Sequence, residues 1–139
     1  MDVLMDPSLL VAIERIREAT NQHDLDGLVD CFAPNYQSAF PAHPDRAFQG
    51  HEQLRKNWTQ IFRTVPNIHT ELLRAAADGS TVWAEWEWTG TLASGGPFLQ
   101  RGVTIHGVEQ GRTQWVRLYM EPVREGGPGI EAMGRSEDR

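Results

Sequence analysis

The sequence predicts an α+β domain, and three observations carry that reading. Apolar residues recur at helical spacing between Pro7 and Arg63, the period changes to two after Pro66, and the alternating segments are divided by short glycine-containing breaks. Helices first and strands after them place the helices on one face of an antiparallel sheet. A chain of 139 residues makes one core and not two. Residues 1–124 are the expected domain, and the glycine-rich 125–139 an expected disordered tail.

Leu9, Leu10, Ile13 and Ile16 define the first helix, from Pro7 to about Thr20, with Asp6 as its N-cap. Asn21 to Asp24 breaks the pattern. Asp24 then caps a short second helix carrying Leu25, Leu28, Val29 and Phe32, which Pro34 should end. Tyr36 to Phe40 alternates as a short strand, and Pro41, Pro44 and Asp45 mark a loop. His51 to Arg63 repeats Leu54, Trp58, Ile61 and Phe62 as a third helix. Four strands follow, Ile68 to Ala76, Thr81 to Leu92, Phe98 to Glu109 and Thr113 to Val123.

Composition narrows the function classes. The net charge of −6, with the basic residues dispersed, excludes nucleic acid and anionic membrane as main partners. No apolar run nears the roughly 20 residues that cross a bilayer. The N-terminus lacks the basic and apolar regions of a secretion signal, so a cytoplasmic home is expected. Cys31 stands alone, which leaves no internal disulfide and suits a small buried hydrophobe. No phosphate-cradling glycine loop is present, and His23, His43, His51, His69 and His106 lack metal-ligand spacing, so neither cofactor nor metal is expected. His43 and His51 bracket the proline loop, where a pocket rim could form.

Weak motifs in a fixed order give the chain a family likeness. They are Asp24-Leu25-Asp26-Gly27-Leu28 leading to Phe32-Ala33-Pro34, Gly50 before the third helix, Trp88-Thr89-Gly90-Thr91, Arg101-Gly102-Val103, and Gly111-Arg112 opening Trp115 to Glu121. Over residues 8–123 the chain resembles the SnoaL-like members of the nuclear-transport-factor-2-like superfamily. The resemblance implies a cone-shaped α+β fold in which three N-terminal helices pack on a curved antiparallel sheet. The superfamily hosts isomerases, cyclases, dehydratases, epoxide hydrolases and non-catalytic modules, so function has to come from the site.

The last strand supplies the first site candidates. Alternation puts Arg117, Tyr119 and Glu121 on one face and Val116, Leu118 and Met120 on the other. If Glu109-Gln110-Gly111 is a three-residue loop, Ile105 faces Trp115, Val103 faces Arg117, Arg101 faces Tyr119 and Leu99 faces Glu121. A two-residue loop would set Val103 beside Leu118 instead. In related hydrolases and cyclases a last-strand carboxylate faces the pocket, so the resemblance makes Glu121 the acid/base candidate. Tyr119 would serve an oxygen, and Arg101 or Arg117 would tune the carboxylate or lock it in a salt bridge.

Cavity walls are expected from Trp58, Phe62, Trp86, Trp88, Val103 and Ile105, with plain core packing the simpler account of Trp86 and Trp88. Tyr36 and Ser38 are placed by the resemblance among pocket-lining polar residues. Matched to limonene-type epoxide hydrolases, Trp86 and Trp88 replace an Arg and an Asp of that catalytic network, which argues against its relay. Val116, Leu118 and Met120, beside Thr104, His106 and Trp83, are too apolar for water, and the resemblance implies a homodimer joined through that sheet face. Two readings stay open: cofactor-independent acid/base catalysis on a small hydrophobic oxygenated molecule, and a non-catalytic binding or structural module.

Overall fold

The computed structural model describes residues 6–132. It is an α+β arrangement of three helices and a mixed six-stranded sheet: α1 (Pro7–Asn21), α2 (Leu25–Asp30), β1 (Phe32–Ala39), β2 (Phe48–Gln49), α3 (His51–Thr64), β3 (His69–Asp78), β4 (Thr81–Thr91), β5 (Pro97–Glu109) and β6 (Arg112–Pro122). The strand order is β2-β1-β6-β5-β4-β3. All neighbours are antiparallel except β1 and β6, which run parallel, so the sheet is not the wholly antiparallel one expected. The first strand thus lies beside the last.

Local chemistry starts the helices where the sequence places them. The Asp6 carboxylate accepts from Ser8 N at 2.9 Å, and the Asp24 carboxylate accepts from Gly27 N at 3.0 Å. Helix α2 is shorter than expected. It ends at Asp30, and Phe32 already pairs with Thr113 of β6, while Thr113 N donates to Cys31 O at 3.0 Å. Pro34 therefore sits inside β1, at the irregular stretch between Phe32 and Gln37 where the β6 register slips, so its missing N–H removes no ladder bond. The two-residue β2, read as loop in the sequence, is held by pairing with Gln37 and Ser38. Of the tail, 133–139 lie outside the described residues, and 125–131 are exposed.

The β5–β6 turn differs from expectation in an instructive way. It is a two-residue turn, Gln110-Gly111, with φ of 52° and 77°, the left-handed pair that hairpins favour. A break in register between Gly107 and Val108 then leaves Gln114 as an extra residue on β6. Ile105 consequently faces Arg117, Val103 faces Tyr119 and Arg101 faces Glu121. Each pairing is displaced by two residues on β6 from the expected one, an even slip that leaves the same residues together on one face. The indole of Trp115 lies where a Cβ on Gly107 would be, so glycine makes room at the bulge.

The core sits between the helices and the other face. Leu9, Ala12 and Ile13 of α1 pack on Val82, Ala84 and Trp86 of β4 and on Met120. Ile16, Leu28, Val29, Phe32, Tyr36 and Leu54 pack around Val116, with Leu118 and Trp58 against them. Val116, Leu118 and Met120 therefore turn toward the helices, and the expectation that they form an exposed dimer patch is corrected. The physical reason is plain: this apolar row finds cover under α1 and α3, whereas burying Arg117 and Tyr119 there would strand polar groups away from water.

Candidate functional site

Between α3 and the helix-covered sheet face lies a cavity of about 550 Å³. Its walls are mainly apolar and aromatic, within the size range of small-molecule sites. Trp86 and Trp88 come from β4, Thr104 and His106 from β5, Val116, Leu118 and Met120 from β6, Tyr36 and Ser38 from β1, and Leu54 and Trp58 from α3. Alternation along each strand delivers these side chains to one surface. Trp58 meets Trp88 edge-on, with ring centroids 6.1 Å apart.

Of the residues singled out in the sequence, Tyr36, Ser38, Trp58, Trp86, Trp88 and Glu121 border this cavity. Phe62 stands behind it, stacked on His23 at 4.9 Å and tilted against Trp58 at 5.6 Å. Arg101, Val103, Ile105, Arg117 and Tyr119 are not there. They occupy the opposite sheet face, where Arg101 Nε meets Glu87 Oε2 at 2.9 Å and Arg117 Nη2 donates to the Tyr119 hydroxyl at 3.4 Å. Their removal from the pocket follows from the same covering of the apolar row.

Glu121 reaches the cavity from the end of β6, at its mouth. Its Oε2 lies 2.9 Å from His43 Nε2, and both side chains are half-exposed. Neither expected arginine is its partner; the loop histidine is. Arg46, three residues beyond His43, also borders the cavity. The mouth therefore carries a carboxylate, an imidazole and a guanidinium above an apolar interior.

Two titratable groups deeper in are shifted by burial. Tyr36 is almost wholly buried, and desolvation raises its phenol above the ordinary value, which keeps it a neutral hydrogen-bonding hydroxyl beside Ser38. His106 is buried too, and desolvation lowers its pKa from 6.5 to about 3, so it is neutral throughout the physiological range. It stands in a chain of contacts: Trp86 Nε1 donates to Thr104 Oγ1 at 2.8 Å, Thr104 Oγ1 lies 2.7 Å from His106 Nε2, and His106 Nδ1 lies 3.0 Å from Thr113 Oγ1. Sequence reasoning missed this array, because it put Thr104 and His106 on the outer face. Their shared parity with the apolar row of β6 was legible; the cover that the helices give that row was not.

Cys31 is buried with its thiol against Gly27 O at 3.3 Å, and burial pushes its pKa up, as befits a packing residue. Among the described residues no group of three His, Cys, Asp or Glu side chains converges to hold a metal ion. No helix among them is long and apolar enough to cross a membrane.

Comparison with known proteins now bears on this arrangement. No curated protein matches the sequence. Solved structures do match the fold. A hypothetical protein with a ketosteroid isomerase-like fold from Catenulispora acidiphila, in complex with trimethylamine, is 17% identical, with 78% of this chain and 83% of that one covered and a TM-score of 0.69. An LEH-like epoxide hydrolase of M. tuberculosis is 16% identical, over 83% and 84% of the two chains, at 0.71. An NTF2-like protein from Anabaena variabilis is 18% identical, over 91% and 96%, also at 0.71. At such identities these likenesses speak for the fold alone. Residues 13–117 match a family defined by the SnoaL-like domain, a span that runs from α1 through the middle of β6 and takes in most of the cavity wall; the chain belongs to that family.

Proposed function

We propose that this protein binds a small hydrophobic oxygenated molecule in the cavity and moves a proton on it without a cofactor, in a reaction of the isomerase, cyclase, dehydratase or hydrolase kind. The observation that carries the reading is the Glu121–His43 contact at 2.9 Å, set at the mouth of an aromatic-walled cavity of about 550 Å³. A carboxylate hydrogen-bonded to an imidazole can take a proton and keep the resulting charge spread over two groups. Tyr36 and Ser38 supply hydroxyls that can hold a substrate oxygen while the proton moves.

The test is turnover on a panel of apolar ketones and epoxides, with Glu121→Gln as control. Turnover of one class that falls at least about a hundredfold in Glu121→Gln, with binding retained, upholds the reading. Binding without turnover of any panel member moves the protein to the second reading, a non-catalytic small-molecule carrier. That alternative draws support from the half-exposed position of Glu121 at the mouth rather than the depth of the cavity.

We further infer a homodimer, now through the face opposite the helices. Trp83, 48% exposed, pairs with Ile105 across the strands, and Val103 lies between Glu85 and Tyr119, which is 37% exposed. Ion pairs flank this patch, Arg101 with Glu87 and Arg74 with Glu85. Two copies of such a patch would meet about a two-fold axis.

A further inference from the structure

The polar array in the cavity wall has one hydrogen too many for its own contacts. Trp86 N–H, the Thr104 hydroxyl, the single ring hydrogen of a neutral His106 and the Thr113 hydroxyl make four donors, and three contacts join them. Trp86 can only donate, so Thr104 Oγ1 always accepts from it. Two arrangements remain. If Thr104 donates to His106 Nε2, the ring hydrogen sits on Nδ1 and goes to Thr113, whose own hydroxyl hydrogen is then left over. If Thr113 donates to Nδ1, the ring hydrogen sits on Nε2 and goes to Thr104, and the Thr104 hydroxyl hydrogen is left over.

The surroundings of the two threonines decide between these arrangements. Thr113 is completely buried, and its hydroxyl has no partner other than His106 among the described residues. A surplus hydrogen there would be lost to both water and protein. Thr104 borders the cavity, where an occupant can accept its hydrogen. The second arrangement satisfies every group of the array and delivers its one spare donor to the binding space, which the buried and unpartnered Trp88 Nε1–H also borders.

We propose that Trp86, Thr104, His106 and Thr113 form the recognition element of the cavity, with His106 carrying its hydrogen on Nε2 so that the Thr104 hydroxyl donates to a neutral acceptor oxygen of the ligand. This rests on the reading that the cavity takes a ligand and names its class: a molecule that brings a carbonyl, ether or epoxide oxygen to the β5 wall, and not one that brings only donors. Thr104 is a binding residue in this scheme. His106 and Thr113 are positioning residues that fix the direction of its hydroxyl.

Two measurements test it. Long-range proton–nitrogen NMR on the unliganded protein at pH 7 reads the ring directly: hydrogen on Nε2 of His106 is expected, and hydrogen on Nδ1, or on both nitrogens, overturns the assignment. Tryptophan-fluorescence titration then compares 2-acetylnaphthalene with 2-ethylnaphthalene, similar in size but lacking the acceptor. The wild type should prefer the ketone by about tenfold, the worth of one good hydrogen bond. Thr104→Val should abolish that preference, read as the ratio of the two affinities within the same variant, and Thr104→Ser should restore it. A preference that survives in Thr104→Val overturns the proposal. If the wild type binds neither compound, the cavity reading itself falls, while the NMR result still upholds or refutes the hydrogen assignment.

Discussion

Glu121 Oε2 and His43 Nε2, 78 residues apart in the chain, meet at 2.9 Å and join the end of β6 to the loop between β1 and β2. The contact ties the cavity mouth to a segment that otherwise has little hold on the sheet. Because both side chains are half-exposed, its weight is in chemistry more than in stability.

Glu121→Gln and His43→Gln should each change the unfolding free energy by less than about 1 kcal/mol, as for other exposed ion pairs. Urea titration checks this. Under the catalytic reading, the same variants should lower turnover of a ketone or epoxide substrate, Glu121→Gln by about a hundredfold or more and His43→Gln by less. Equal and small effects from both would show that the pair only closes the loop.

Stability should fall with pH because of His106. Its folded pKa of about 3 lies below its ordinary 6.5, so between those values the unfolded chain binds a proton that the folded one refuses. The histidine's contribution is therefore full above about pH 6.5 and is lost as pH drops toward 3. From pH 7 to pH 5 the loss should be about 2 kcal/mol, one proton's worth over the interval below 6.5. Denaturant melts of wild type and His106→Asn at both pH values isolate it. The wild type should lose more on acidification than the variant, and equal losses would contradict the neutral, buried ring.

Gly107→Ala should destabilise the β5–β6 bulge by about 2 kcal/mol, since the new methyl takes the place of the Trp115 indole. A double-mutant cycle with Trp115→Ala should recover a good part of that loss. Additive effects would mean that backbone strain, and not the tryptophan, excludes the side chain.

Trp83→Glu should dissociate the inferred dimer without unfolding the protomer, because the side chain lies on the face away from the core. Sedimentation velocity at micromolar concentration gives the answer. A wild-type protein that sediments as a monomer would remove the dimer altogether.

Much of the fold was legible because its signals are local. Asp6 and Asp24 announce helix starts by side-chain chemistry, and Leu54, Trp58 and Ile61 mark α3 by spacing alone. Alternation likewise separated Val116, Leu118 and Met120 from Arg117, Tyr119 and Glu121. It did not say which set faces the helices, because a strand's two faces are equivalent until something covers one of them. Assigning the polar set inward moved Arg101, Val103, Ile105, Arg117 and Tyr119 into a pocket they do not line. The parallel pairing of β1 with β6 and the approach of His43 to Glu121 are long-range events with no local trace. Trp58, Trp86 and Trp88 border the cavity because each sits on an element whose inward face its own apolar neighbours define, whereas Tyr36 and Ser38, which also border it, were placed there by the family resemblance alone.

The place of β1 against β6 also constrains how the molecule can be made. Phe32 through Ala39 has no long sheet neighbour until Thr113 through Arg117 has been synthesised, so the amino-terminal third of the chain waits on the far end for its ladder. Local helices and the β3–β6 meander can form early, but the closing step joins segments roughly 80 residues apart and carries the entropy of shutting that loop. Refolding should therefore be governed by this one late docking, and a nascent chain still short of β6 would present an uncovered β1 edge to whatever meets it first.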